Sequence, residues 1–472
     1  MSRHPNPLSV LSQITGARMV GQWDAPFTRV HTDTRSLRAG DCFVALRGER
    51  FDAHDFLPSL RTQGVHLVMA EQGLADQGLS GIEVGDTRQA LGEWARLWRA
   101  QLRLPLIAVT GSNGKTTVTQ MIASIARAAV GDAACATEGN FNNDIGVPLT
   151  LLRLNTQHQL AVIELGMNHV GEIANLAHMA APTVALVNNA QREHQEFMCS
   201  VEAVAQENAQ VFHALPADGV AVFPAQDPFS EMWRRMAQHA QPNRRCWTFG
   251  LDAPEATVSA HAQWQDGAWQ LRITSPVGDF TLTLNMAGRH NALNALAACT
   301  CALAAGVKPS AVVQGLENFE AVNGRSRLLH LKRPNAAPLD LIDDSYNANP
   351  DSVLAAIAVL RDLPGPRALV LGDMGEIGAN GLAFHCEVLQ AALAANIDRI
   401  DVAGDWMAQA MAAQAWPPSL HHWDRVEALA DAAPEQYAST RSVLVKGSRF
   451  MRMERVVRAM TEASTKGQPH AA

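Results

Sequence analysis

The chain has 472 residues, of which 47% are hydrophobic and 18% charged, and its formal net charge is −8. Such a length implies about three domains at roughly 100 to 200 residues each, with ample apolar material for several cores. The acidic balance argues against nonspecific binding to nucleic acid or to an anionic membrane, so an acidic substrate must be met by locally placed cations.

The first twenty residues lack the uninterrupted apolar core of a signal peptide, and no run of about 18 apolar residues occurs anywhere. A cytoplasmic protein without a membrane span is expected. Residues 41–46 and 65–70 read as strands bounded by Gly40, Gly48 and Gly64. Residues 87–100 read as a helix with Leu91, Trp94, Leu97 and Trp98 on one face and Thr87 as its N-cap. Residues 1–101 are expected to form a mixed α/β N-terminal domain.

Pro105 punctuates the link to a second unit, residues 102–325, which opens on the continuous apolar strand LIAVT (106–110). Similar runs recur at 160–166, 183–189 and 219–224. Helical patterns separate them, and one carries Val118, Met121, Ile122 and Ile125 on a single face. Repeated β–α units predict a doubly wound, mostly parallel sheet. More β-like segments follow at 247–251, 269–276 and 279–286, then a helix over 291–306. Seven cysteines, an odd number at irregular spacing with no C-x-x-C, fit neither a disulfide framework nor a zinc site. Cys299 and Cys301 lie in that Ala-rich helix, where packing is the simpler role.

The third unit, residues 326–472, is expected to be an open α/β domain of Rossmann-like type. Strands are read at 338–344, 367–374, 398–404 and 442–447. A helix starts at Pro350 and carries Val353, Ile357 and Leu360. The tail, 461–472, is polar and expected to fray. The expected fold class is therefore α/β, with three domains and a P-loop in the central one.

The strongest motif is Gly111-Ser-Asn-Gly-Lys-Thr-Thr117, after a strand and before a helix. Backbone N–H groups of such a loop stabilise phosphate charge. Lys115 can reach terminal phosphates and Thr116 can ligate magnesium. Val109 stands where the usual P-loop has its first glycine. Glu164, at the end of a strand, can hold magnesium beside the nucleotide loop, or be a surface carboxylate in a turn. His194 follows another strand, and Asn188 and Asn189 precede it; a lone histidine is more often structural. Residues 137–146 offer amides for a polar substrate or an ordinary turn. Residues 343–350, DDSYNANP, can contact ribose, base or phosphate-bound water, or simply cap a helix. Lys446 and Arg449 offer cations to an acidic ligand, or are solvated charge.

Together these motifs resemble the Mur ligase family along nearly the whole chain. The resemblance rests on residues 33–56, 111–117, 139–154, 161–173, 288–298, 343–352, 371–378 and 444–449. DAHDF, GNFNNDIGVP and DDSYNANP are more specific than the glycine loop. They imply the branch that adds D-alanyl-D-alanine to a UDP-linked muramoyl tripeptide for peptidoglycan, with ATP and Mg²⁺, through an acyl phosphate. By the same resemblance, the first domain binds the UDP end, the central domain is the ATPase and the third closes over both.

Carried over by position, Gly111, Ser112, Asn113, Gly114, Lys115, Thr116 and Thr117 cradle ATP. Thr116, Glu164 and His194 hold metal. Asn291 contacts adenine, Arg325 the phosphates and Asp344 the ribose, while Tyr346 and Asn347 line the nucleotide edge. Lys446 is an active-site cation. Thr34 and Arg35 match the uridine site, and Asn140, Asn142 and Asn143 the muramoyl-peptide loop. Many relatives carry a lysine, often carbamylated, where this chain has Asn208; magnesium is retained and the carbamate dropped, with Asn208 left able to hold a metal or water through its amide oxygen. The partners implied are small molecules, with no nucleic acid, and the chain is expected to be a monomer. The alternatives are another amino-acid ligase of the family, a folylpolyglutamate synthase, or a nucleotide-dependent switch that ligates nothing.

Overall fold

The computed structural model describes residues 8–22, 27–48, 50–193, 195–239, 241–333 and 336–466. Among these residues the chain forms three sheets of five, nine and six strands, each mostly parallel. The fold is mixed α/β in three domains. Among the described residues no helix is long and apolar enough to cross a membrane.

In the central sheet the strands run in the order 280–284, 268–274, 258–265, 245–251, 220–224, 184–187, 106–110, 160–164, 134–136. The strand Leu106–Thr110 lies between Leu160–Glu164 and Val184–Val187, parallel to both. The chain leaves it to one side first and returns on the other. Strand order therefore reverses at its carboxyl end, where a crevice forms in open α/β sheets. Side-chain alternation feeds two cores. Leu106 and Ala108 enter one; Ile107 and Val109 enter the other, with Val118, Met121, Ile122 and Ile125. Val109 is thus a fully buried strand residue. The strand runs on to Thr110, and the phosphate loop is confined to Gly111–Gly114 before the helix Lys115–Val130.

Helix Thr87–Arg99 buries Leu91, Trp94 and Trp98, with Leu97 partly buried beside them. Its N-cap is Asp86, whose carboxylate accepts from the N–H groups of Arg88 and Gln89. Thr87 is not the cap: its hydroxyl donates to the Ala45 carbonyl at 2.8 Å instead. The two tryptophans pack into the core beneath the central sheet, so this helix fastens the N-terminal sheet to the central one.

The C-terminal sheet runs 327–333, 336–344, 442–446, 367–372, 399–403, 420–423. Its first pair is antiparallel and the rest parallel. Helix Pro350–Arg361 buries Val353, Ile357 and Leu360 and starts in a capping box between Asn349 and Ser352. All seven cysteines are free, and Cys299 and Cys301 are buried in helix Arg289–Ala304. Burial pushes both thiols far above their ordinary pKa, which suits packing. Of the tail expected to fray, residues 461–466 instead continue helix Glu454–Lys466, and 467–472 lie outside the described residues.

Candidate active site

The phosphate loop turns on two left-handed glycines. A Cβ on Gly111 (φ +128°) would meet the Asn188 and Asn189 amides at 2.9 and 3.0 Å; one on Gly114 (φ +80°) would sit 2.6 Å from Asn294 Oδ1. Only glycine fits that approach without strain. A ladder of buried amides backs the loop. Asn188 Nδ2 donates to the Asn113 carbonyl at 2.8 Å and to Asn294 Oδ1 at 3.0 Å, and Asn294 Nδ2 donates to Asn291 Oδ1 at 3.3 Å.

Lys115 is folded back over the loop. Its ammonium donates to the carbonyls of Gly111 (2.6 Å) and Ser112 (2.9 Å) and lies 3.2 Å from a Glu193 carboxylate oxygen. One helical turn begins beside it with Thr116, whose hydroxyl donates to Glu164 Oε1 at 3.2 Å; Asn142 Nδ2 donates to the same oxygen at 2.8 Å. The second oxygen, Glu164 Oε2, is buried with no hydrogen-bond partner among the described residues. A buried unpartnered carboxylate oxygen is costly. Beside a threonine hydroxyl it is the hard oxygen pair that magnesium prefers, so these residues fit the ion. No group of three or more His, Cys, Asp or Glu side chains is arranged around a metal among the described residues.

Opposite the loop stands the C-terminal domain. Lys446 Nζ donates to Asp344 Oδ2 at 2.6 Å and to the Asn347 carbonyl at 2.9 Å. Asp344 Oδ1 in turn accepts from the Ser326 N–H at 2.9 Å. The Arg325 guanidinium lies 4.1 Å from the centre of the Tyr346 ring, and that of Arg449 lies 5.4 Å from it. Between the two domains opens a cavity of about 870 Å³, the size of a small-molecule site. Its walls include Ser112–Thr117, Asn140, Asn142, Asn143, Glu164, Asn291, Arg325, Asp344, Tyr346, Asn347 and Lys446. The sequence motifs at 111–117, 139–146, 343–350 and 446–449 therefore share one space.

Residues 26–99 of the chain match the Mur ligase family catalytic domain, residues 109–302 the Mur ligase middle domain and residues 324–449 the Mur ligase glutamate ligase domain. Over 466 residues the chain is 39% identical to the UDP-N-acetylmuramoyl-tripeptide–D-alanyl-D-alanine ligase of Escherichia coli (strain K12), covering 97% of this chain and 99% of that one. The chain belongs to the Mur ligase family. The ligase of the same name from Bacillus subtilis (strain 168) is 30% identical, with 92% and 93% of the two chains covered. A crystal structure of MurF from Acinetobacter baumannii matches with a TM-score of 0.86 at 32% identity, covering 96% of this chain and 98% of that one.

Thr34 and Arg35 lie on a short 3-10 turn, 34–36, and do not line the cavity; Arg35 pairs with Asp33, at 2.6 Å. Asn143 Oδ1 accepts from the Gly146 N–H at 2.9 Å, at the start of the next helix. Asn142 serves Glu164. His194 lies outside the described residues. Asn208 is fully buried, and its amide oxygen accepts from Thr110 Oγ1 at 2.6 Å and the Gly111 N–H at 2.9 Å. Both lone pairs are taken, so it is a prop for the phosphate loop and not a metal or water ligand.

Four cavity residues with charged or polar partners were given no role by the sequence. Glu193 faces Lys115. Arg88, from the N-terminal domain, donates to Asp144 at 2.7 Å and presents a cation to the cavity. His290 lines the wall beside Asp344 and Lys446; loss of solvation is the main cause of its lowered pKa, with Asp344 acting the other way. Asn349 pairs with Asn113 across the cleft. Of these, only His290 and Asn349 lay in segments that carried the resemblance.

Proposed function

We propose that this chain joins D-alanyl-D-alanine to a UDP-N-acetylmuramoyl-tripeptide at the expense of ATP, in the making of peptidoglycan precursor. The observation that carries the reading is near-full-length similarity to ligases of that name, on a site where Lys115, Thr116 and Glu164 meet beneath a second domain.

A carboxylate is a poor electrophile, so its oxygen must first become a leaving group. The tripeptide's terminal carboxylate attacks the γ-phosphorus of ATP; a new P–O bond forms and ADP leaves. The amine of the dipeptide then attacks the acyl phosphate carbonyl, phosphate departs and an ammonium proton is lost. The protein's work is positioning and charge stabilisation. Lys115 exchanges its loop carbonyls for phosphate oxygens, and the loop N–H groups cradle the rest. Thr116 and Glu164 would hold magnesium, with His194 kept as the further ligand that the resemblance implies; the ion supplies neutralisation of phosphate charge. Arg325, Asp344, Tyr346, Asn347 and Asn291 form the nucleotide wall, and Lys446 adds a cation from the closing domain. Asn140 and Asn143, with Arg88, face the muramoyl peptide, and Thr34 and Arg35 are kept for the UDP end on the resemblance alone. One chain supplies every residue named, so a monomer suffices. ATP and UDP-linked precursors are cytoplasmic metabolites, which sets the compartment.

The test is phosphate release from ATP and magnesium with UDP-muramoyl tripeptide, with and without D-alanyl-D-alanine, and mass analysis of the product. A pentapeptide product is expected. Release with D-glutamate, diaminopimelate or folate and none with the dipeptide would refute the substrate. Hydrolysis that ignores both substrates and alters affinity for a partner would favour a switch.

A further inference from the structure

The loop leaving strand Val184–Val187 carries one run of residues that faces two ways. Asn189 Oδ1 accepts from the Asn113 N–H at 2.8 Å. Gln191 donates its N–H to Ser112 Oγ at 2.9 Å and accepts from Asn113 Nδ2 at 2.6 Å. Glu193 meets Lys115. These three alternate residues all touch the phosphate loop. Arg192, between the last two, points the other way, into the C-terminal domain.

Its guanidinium spans two carboxylates there. Arg192 Nη2 donates to Asp351 Oδ1 at 2.6 Å, and its own backbone N–H donates to Asp351 Oδ2 at 2.8 Å. Nη1 donates to Glu387 Oε2 at 2.8 Å and Nη2 to Oε1 at 3.1 Å. The same group sits 5.1 Å from the centre of the Phe384 ring. Asp351 is in the first turn of helix Pro350–Arg361, whose N-cap is Asn349. Asn349 Nδ2 donates to Asn113 Oδ1 at 2.9 Å, and Asn113 Nδ2 returns a bond to Asn349 Oδ1 at 3.3 Å. The connection is a closed circuit: Asn113 to Gln191, along the chain to Arg192, across to Asp351, back to Asn349 and home to Asn113.

We propose that Arg192 is a positioning residue that latches the C-terminal domain over the nucleotide cleft, and that the circuit through Asp351 and Asn349 ties this latch to the phosphate loop. A planar guanidinium suits this part, because its fork serves two carboxylates in fixed geometry where an ammonium serves one point. Removing it leaves Asp351 and Glu387 facing each other as like charges. The contact is polar and only partly buried, with Arg192 and Asp351 side chains each 23% exposed, so it fastens a movable interface and not a permanent core. ATP then finds both walls of its site in place, and its apparent affinity carries less of the cost of closure.

The inference deepens the ligase reading, and its test does not depend on turnover. Small-angle scattering of the full chain without ligand should show a larger radius of gyration for Arg192→Ala than for wild type. The two curves should converge when AMP-PNP, magnesium and UDP-muramoyl tripeptide are added. Calorimetric affinity for AMP-PNP should fall about tenfold in Arg192→Ala, as expected if the closed state drops to about a tenth of the population. Arg192→Lys should recover part of both effects. Glu387→Gln, on the opposite domain and outside the cavity, should move both in the same direction by less. In ligation, Arg192→Ala should raise KM for ATP and leave kcat at saturation within about twofold. Unchanged scattering in Arg192→Ala and Glu387→Gln overturns the latch, as does unchanged AMP-PNP affinity. So does a kcat loss without a change in KM. A wild-type protein that binds AMP-PNP but makes no pentapeptide would instead overturn the ligase reading alone.

Discussion

Asn208 holds the root of the phosphate loop from behind: its Oδ1 accepts from Thr110 Oγ1 and from the Gly111 N–H, while its Nδ2 donates to the Val204 carbonyl at 3.0 Å. The last residue of the strand and the first of the loop are thereby tied to the helix Val201–Asn208. A neutral amide can do this in a fully buried place, where an unpaired charge would be costly.

Asn208→Ala would strand the Thr110 hydroxyl and the Gly111 N–H. It should lose roughly 1–3 kcal/mol of stability per unsatisfied group at most, and weaken nucleotide binding. Denaturant titration and AMP-PNP calorimetry measure the two effects. Normal stability with an altered magnesium requirement would return Asn208 to the metal site.

Activity and stability should part at Glu164. Glu164→Gln keeps the oxygen that Thr116 and Asn142 share but removes the buried charge. Its melting temperature should equal or exceed that of wild type while turnover falls by a factor on the order of 10² or more, and Lys115→Ala should lose a similar factor. Melting curves beside phosphate-release rates decide this; near-normal ligation by either variant would remove it from the reaction.

Gly114→Ala should cost more than Gly131→Ala, although both glycines have positive φ. At Gly114 the new methyl would press on Asn294 and Asn188, while at Gly131 nothing lies within 4 Å. Left-handed strain alone is about 1–2 kcal/mol, and only Gly114 adds the clash within the amide ladder. Equal losses in chemical denaturation would mean that the ladder yields easily.

His385 sets a pH limit on the C-terminal domain. It is fully buried, accepts from the Met374 N–H through Nε2 at 3.0 Å and donates from Nδ1 to the Gly381 carbonyl at 2.7 Å. Burial lowers its pKa and outweighs Gly381 and Asp373, which act the other way. The unfolded chain, with its histidine near 6.5, binds the proton more readily. Stability contributed by the neutral form is therefore complete above that value and is lost as pH falls through it toward the lowered native pKa. His290 adds to the slope in the same sense. Melting temperature should fall between about pH 7.5 and about pH 5.5, and His385→Gln should be less stable but show a flatter dependence. An unchanged slope would place the titration elsewhere.

The fold was legible where strands are continuous apolar runs, as at LIAVT and SVLVK, because burial on both faces leaves a local mark. Val258–Gln265 left none: most of its side chains are exposed or half-buried, and only pairing with Ala268–Thr274 makes it a strand. Arg327–Arg333, at the sheet edge, escaped for the same reason. Thr87 was read as a cap because its residue type suits the post, but Asp86 reached the N–H groups first.

What the sequence determined by itself was the chemistry that neighbours in the chain can carry: a glycine turn, a lysine and a threonine opening a helix, and a carboxylate at a strand end. Tertiary structure alone decided which side chains meet. It brought Glu193 to Lys115 across 78 residues and Asn349 to Asn113 across 236. It also spent the Asn208 oxygen on the loop and turned Arg192 toward Asp351 and Glu387. A hydrogen bond requires about 3 Å between atoms, and separation along the chain says nothing about that distance until strand order has folded one crevice from three domains.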